Sequence, residues 1–272
     1  MASDGGERRM VFDIRGKRRV AVKVVYAVLA VLMGASLFLV VGPVNIGELF
    51  SSGTSSSSEA AKQFEQQAQR IERKLAKEPE NPELLIALTR SRVTAGNSLV
   101  EVSPEGQKQW SPEALQQLQK ASQSWSEYLQ ATKQPEAGSA QLMAPTLFTL
   151  AELSSGLEIM DNLEAAVQAQ EIVADQRPTL NSLSTLAIYK TFTFDYDGAK
   201  KAGDEAKKFA NTKFERENID NQLEETKKRA EAFQSQLAAY EKQVKQQEKA
   251  GGGGSLEGIE NPFGTSAGSL GE

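Results

Sequence analysis

The chain has no cysteine and no histidine. Without cysteine there is no disulfide, no thiolate nucleophile, no cysteine-ligated zinc and no lipid-modified anchor cysteine. Without histidine the usual general base, the Ser-His-Asp triad and the commonest metal ligand are gone. A phosphate-cradling loop is missing too. The one glycine cluster, Gly251 to Gly254, has no strand before it and no Lys-Ser/Thr after it, so it reads as a linker. Alternating Val/Ile/Thr stretches are absent, and Ala, Leu, Gln, Glu and Lys dominate, so no strand is predicted and the class is all-α. Asp195-Tyr196-Asp197 is the nearest thing to an all-oxygen metal cluster, and it lacks calcium-loop spacing. No metal, cofactor or catalytic residue is predicted, and the expectation is a protein that is not an enzyme.

What is present is a strong asymmetry of charge. Residues 1–23 carry Arg8, Arg9, Arg15, Lys17, Arg18, Arg19 and Lys23 against Asp4, Glu7 and Asp13, a net of +4. The formal charge of the chain is −5, which leaves −9 on the rest. A body that acidic argues against nucleic acid, because phosphate binding needs clustered positive charge.

Between the two lies the uncharged apolar run Val24 to Val41. As a helix it would be roughly 27 Å long, close to the hydrocarbon thickness of a bilayer. Residues 24–42 therefore read as a transmembrane helix. The basic cluster before it puts the N-terminus in the cytoplasm and the body on the extracytoplasmic side of the cell membrane. A cleaved signal peptide would have a shorter core and an A-x-A-like site, which Val40-Val41-Gly42-Pro43-Val44 does not supply. Ala30 and Gly34 have a spacing that packs one anchor helix on another. Met10 is an alternative start, which would remove only residues 1–9.

Residues 43–58 form a flexible linker rich in serine. Ser56 and Glu59 have capping-box spacing, and Phe64, Ala68, Ile71 and Leu75 follow as one helical stripe. Asn81-Pro82-Glu83 reads as the cap and first turn of a second helix running to about Ala95, with Gly96-Asn97 as its stop. A loop over 97–111 follows. Ser111-Pro112-Glu113 opens a helix ending near Thr132. Further helices are predicted at about Ala144 to Met160, with Pro145 in its first turn, and from a capping box at Asp161 and Glu164 to a stop before Pro178. Two more are predicted near Ser182–Phe192 and Gly198–Ala210.

A recurrence runs through these helices. Ala166 and Ala199 are 33 residues apart. Leu150 and Leu153 precede the first as Leu183 and Leu186 precede the second. Ser154 and Ala187 follow those leucines. Val173 and Ala206 lie seven residues beyond the two alanines, and Pro178 closes the first unit. An expanded earlier unit would use Leu85, Leu88 and Thr89, then Ala121, Trp125 and Tyr128. Over residues 80–210 this pattern resembles the tetratricopeptide repeat, with Asp195-Tyr196 in the acidic-aromatic turn of that family. A plain antiparallel bundle is the alternative. The resemblance implies a solenoid of helical hairpins over 59–210, with a binding surface on the inner face of its first helices. In that register the protein-binding positions are Ile86, Arg90, Phe148, Ala151, Ser155 and Ile188.

From Lys213 to Lys249 a long charged helix is predicted within residues 211–249. Ile219, Leu223, Thr226, Ala230, Phe233, Leu237, Tyr240, Val244 and Gln247 step by four and three. That stripe serves either a self-associating coiled coil, making a homo-oligomer through 213–249, or a cap on the last repeat. Residues 250–272 are too poor in apolar side chains to fold alone.

The expected function is a membrane-anchored scaffold or adaptor that binds other proteins. A chaperone for unfolded clients is the alternative. A hydrolase using two carboxylates, with Glu152 and Glu158 as candidates, is a remote third reading.

Overall fold

A computed structural model describes residues 57–103 and 108–250, which belong to the C-terminal of two units of the chain, Ser55–Glu272. The basic tail, the apolar run with Ala30 and Gly34, the linker up to Ser56 and the tail from Gly251 lie outside them. Eight helices and one small sheet are described: α1 Ser57–Leu75, α2 Pro82–Ser98, β1 Val100–Val102, β2 Lys108–Trp110, α3 Pro112–Ala131, α4 Ala137–Leu153, α5 Glu158–Gln176, α6 Leu180–Phe192, α7 Tyr196–Lys208 and α8 Lys213–Ala250. The all-α class holds. Among the described residues no helix is long and apolar enough to cross a membrane.

The helices pair in sequence as hairpins, α2 with α3, α4 with α5 and α6 with α7, with α1 laid against α2. Small residues sit where helices meet. Ala121, Ala166 and Ala199 are all buried, as their positions in the sequence predict. The main core joins Leu85, Leu118, Trp125, Met143, Leu147 and Leu150 across the first two hairpins. A polar contact threads it, since the Thr89 and Ser124 hydroxyls share a buried hydrogen bond of 2.9 Å. The hairpins are not uniform, however. Leu150 and Leu153 lie in the last turn of α4, whereas Leu183 lies near the start of α6 and Leu186 at its middle, so the 33-residue spacing does not fall on matching places in successive hairpins.

The start and stop signals explain most boundaries. Asn81 caps α2 by accepting from the amides of Glu83 and Leu84. Ser111 caps α3 and Asp195 caps α7, the latter starting that helix two residues before the predicted Gly198. Thr179 and Ser182 form a reciprocal capping box that opens α6 at Leu180 rather than at Ser182. Thr212 and Glu215 do the same for α8: the Thr212 hydroxyl accepts from the Glu215 amide, and the Glu215 carboxylate accepts from the amides of Asn211 and Thr212.

Four expectations are corrected. Gly96 does not stop α2, which continues to Ser98. Gly96 is buried against α3, where an added Cβ would come within 2.7 Å of Leu118 Cδ2. The glycine allows close approach of two helices. The expected loop over 97–111 contains an antiparallel ribbon, pairing Val100 with Trp110 and Val102 with Lys108. It is held because Trp110 and Val100 reach the main core. The helix expected at Ala144 to Met160 lies at Ala137–Leu153, with Pro145 inside it rather than in its first turn. Its start is set from outside. The Tyr128 hydroxyl accepts from the Glu136 amide, and the Gln176 side chain accepts from the Ala137 amide and donates to the Pro135 carbonyl. Its end follows from Ser154, whose hydroxyl donates to the Leu150 carbonyl, and from Gly156 at φ 62°. Asp161 and Glu164 accordingly lie inside α5 and cap nothing.

Helix α8 settles onto the rest in two stretches. Ile219 and Leu223 pack on Leu183, Leu186, Ala202 and Ala206 of the last hairpin. Gly203 makes room, for an added Cβ would meet Leu223 Cδ1 at 2.6 Å. Lys207 forms an ion pair with Asp220 across this contact. Further along, Ala230 and Phe233 join Ala151, Ile159, Leu163 and Phe192. The proximal stretch therefore has the position of a cap. A coiled-coil partner would have to compete with these contacts.

Candidate functional site

The six positions expected on a binding face are not one surface. Ile86 is in the main core and Ala151 is buried beneath Phe233. Ser155 lies past the end of α4, in the turn before α5. Arg90 is exposed on α2, where it donates to Glu136 at 3.0 Å and to the Ser139 hydroxyl at 2.8 Å. Only Phe148 and Ile188 come together. Both are half-buried and contact both the main core and the cluster around Phe233.

Around Phe148 the structure builds something the sequence did not announce. Its ring stacks on Tyr189 of α6, centroids 4.5 Å apart and 9° from parallel, and meets Phe192 at 5.9 Å. Glu152 lies one turn along α4 on the same side, because positions four apart share a helix face. It is half-buried and makes neither a hydrogen bond nor an ion pair among the described residues. Burial pushes its carboxyl above the usual carboxylate range, and the Lys108 ammonium pulls only partly against that. The Tyr189 phenol is pushed up as well, first by burial and then by the Glu152 charge.

Lys108 belongs to β2, and its cross-strand partner is Val102. Residues two apart on a strand share a face. Lys108 therefore shares the face of Trp110, and Val102 that of Val100, with Trp110 and Val100 anchored in the core. One step outward on that face, Val102 is 65% exposed, among the most exposed large apolar side chains described. Lys108 is exposed beside it on β2, and its charge is felt at Glu152 near the end of α4.

No protein-family model matches the chain, and neither a curated protein nor a solved structure is similar enough to it to count as a match.

Among the described residues no group of three or more Asp or Glu side chains is placed to hold a metal ion. Asp195 is occupied as a helix cap. It accepts from the Gly198 amide and pairs with Lys190, which also reaches Glu171 at 2.7 Å. The Gly198 amide is the chief cause holding its carboxyl below the usual range. Burial opposes the Lys190 charge, but Glu171 and Asp195 outweigh it and the ammonium is pushed up. Glu152 and Glu158 sit on either side of the turn joining α4 to α5, and Glu158 is exposed. A carboxylate pair flanking a glycosidic bond has to face inward across a cleft.

Sequence reading missed Lys108 because it sits in a presumed loop. It missed Tyr189 because the α4–α6 contact comes from tertiary packing. Glu152 drew notice only as one acidic residue among apolar neighbours.

Proposed function

We propose that the chain is a single-pass membrane protein whose helical body, outside the cytoplasm, acts as a scaffold or adaptor for another protein. The anchor is the run Val24 to Val41, oriented by the basic residues before it. The observation that carries the reading is the body's construction. Short helical hairpins follow one another, and α8 packs over the last. Stacked hairpins of this kind present extended surfaces to protein partners. The resemblance to tetratricopeptide repeats points the same way, toward accessory subunits in envelope assembly, secretion or division.

Two measurements test it. A topology reporter fused after Lys249 should signal from the extracytoplasmic side, and a cytoplasmic signal would overturn the orientation. Photo-crosslinking in cells from Arg90 and Thr149, followed by mass spectrometry, should return one reproducible partner. A broad spread of unfolded clients would favour a chaperone instead.

A further inference from the structure

We propose that the apolar groove beneath the distal half of α8 binds an amphipathic helix of a partner protein, which displaces α8 from Thr226 onward. The inference rests on the scaffold reading and names its binding surface and the kind of partner that fits.

Three helices build the groove. Ala151 of α4, Ile159 and Leu163 of α5 and Phe192 of α6 close around Ala230 and Phe233 of α8, both fully buried. Phe194 and Tyr196, where α6 turns into α7, pack against the same cluster. The groove therefore accepts one face of a helix, with a small residue and a phenylalanine three positions on. Leu237, four further, is buried as well. Anchors three and four apart are the pattern by which partner helices are bound in grooves.

The present occupant is held unevenly. Its proximal stretch has Ile219 and Leu223 on the last hairpin and the ion pair of Asp220 with Lys207. Beyond Leu223, among the described residues, the ion pairs and side-chain hydrogen bonds of α8 stay within the helix. They join Lys228 to Glu224, Lys227 to Glu231, Lys245 to Glu241 and Ser235 to the Glu231 carbonyl. The Lys227 ammonium does lie over the Tyr196 ring, 5.3 Å from its centroid. Polar groups at the contact are nevertheless left short. Gln236 Oε1 and the Tyr196 hydroxyl are buried without a hydrogen-bond partner among the described residues. Such groups cost free energy that a better-matched helix recovers. Between the two stretches the Thr226 hydroxyl donates to the Gln222 carbonyl at 2.7 Å, a bond of the kind that bends helices. The fixed and exchangeable halves of α8 divide there.

The test uses the full-length protein in a non-ionic detergent. The probe is a fluorescein-labelled peptide of residues 224–246, compared with the same peptide carrying Phe233→Ala, and binding is read by fluorescence anisotropy. The wild-type protein should bind the first peptide weakly, because its own segment competes at the high effective concentration of a tethered ligand. Phe233→Ala in the protein weakens that competitor and should tighten peptide binding about tenfold or more. Gln236→Leu in the protein removes the unpaired carbonyl and should weaken peptide binding several-fold. The peptide carrying Phe233→Ala should bind none of the three. Equal affinity of the three proteins, equal binding of the two peptides, or no binding at all overturns the proposal. Hydrogen exchange of the wild-type protein gives a second reading that needs no folded Phe233→Ala variant. Amides 230–246 should exchange faster than those of α5 and α6, and faster still with the first peptide present. Exchange in step with the hairpins overturns the proposal, as does slower exchange with peptide, which would mean that the peptide pairs with α8 itself. Failure here leaves the scaffold reading intact if photo-crosslinking from Arg90 and Thr149 still captures a reproducible partner. If crosslinking finds none, the scaffold reading fails while the peptide titration still reports on the groove.

Discussion

At the scale of single residues, two buried or half-buried charges show opposite solutions. Arg92 is almost wholly buried on α2, and its guanidinium donates to Glu72 of α1 and at 2.7 Å to Gln117 of α3. Gln117 donates in turn to Glu65 of α1. This network fastens the first helix to the first hairpin. Among the described residues Glu152 has no such partners, and its carboxyl holds its proton more tightly in the folded chain than in the unfolded one. Its contribution to stability therefore declines as pH rises from the ordinary carboxylate value through the raised one. Glu152→Gln removes that penalty. At neutral pH the variant should melt slightly higher than wild type, by up to about 2 °C, and below about pH 4 the difference should vanish. Circular dichroism melts at the two pH values check this, and a lower melting temperature at neutral pH would contradict the assignment. Neither residue was legible as such. Arginine on a helix ordinarily reads as solvent-facing, and only the tertiary placement of Glu72 and Gln117 makes Arg92 a core residue. The partial burial of Glu152 likewise comes from tertiary packing, which its neighbours in sequence do not reveal.

At the scale of elements, the caps were readable and the turns were not. Asn81 and Ser111 each act within four residues, so they can be read locally. The turns between α4 and α5 and between α6 and α7 are shaped by what crosses them. Phe194 adopts φ 64°, a conformation usually left to glycine, and closes α6: its amide donates to Thr191 and the next amide, of Asp195, to Lys190. Its ring meets Phe233 of α8 at 5.8 Å. The other turn has Gly156 at φ 62°, where an added Cβ would come within 2.9 Å of the Tyr240 hydroxyl oxygen. Phe233 and Tyr240 are seven residues apart on one stripe, about 10 Å along the helix. The spacing that resembled a coiled-coil seam is thus matched to two turns of the same chain. Phe233→Ala should cost about 3–5 kcal/mol, as for other fully buried aromatic residues. It should also release the distal half of α8 before the hairpins melt. Limited trypsin cleavage at Lys227 to Arg229 checks this, with faster cleavage expected in the variant at a temperature where the hairpins remain folded. Equal cleavage rates would mean that Phe233 does not hold the helix down.

At the scale of the whole molecule, the all-α class and the order of helices follow from composition and period, because they need only local information. The offsets between hairpins do not. Ala166 and Ala199 keep a 33-residue interval and both become buried, yet the helices around them differ in length and in where their leucines fall. A period in the sequence marks contact residues without fixing the ends of the elements that present them. The same distinction decides what α8 does to assembly. If its stripe faces outward to a second copy, removing it should turn an oligomer into a monomer. The contacts of Ile219, Ala230 and Phe233 with the chain's own hairpins require the reverse. A fragment of residues 57–250 should sediment as a monomer. A fragment of residues 57–229, stripped of Ala230, Phe233 and Leu237, leaves Ile159, Phe192 and Phe194 uncovered and should associate with increasing concentration. Ile219 and Leu223 remain in that fragment and keep the last hairpin covered, so it should still unfold cooperatively on heating. A longer fragment that dimerises, beside a shorter one that stays monomeric, would return α8 to the role of a coiled coil.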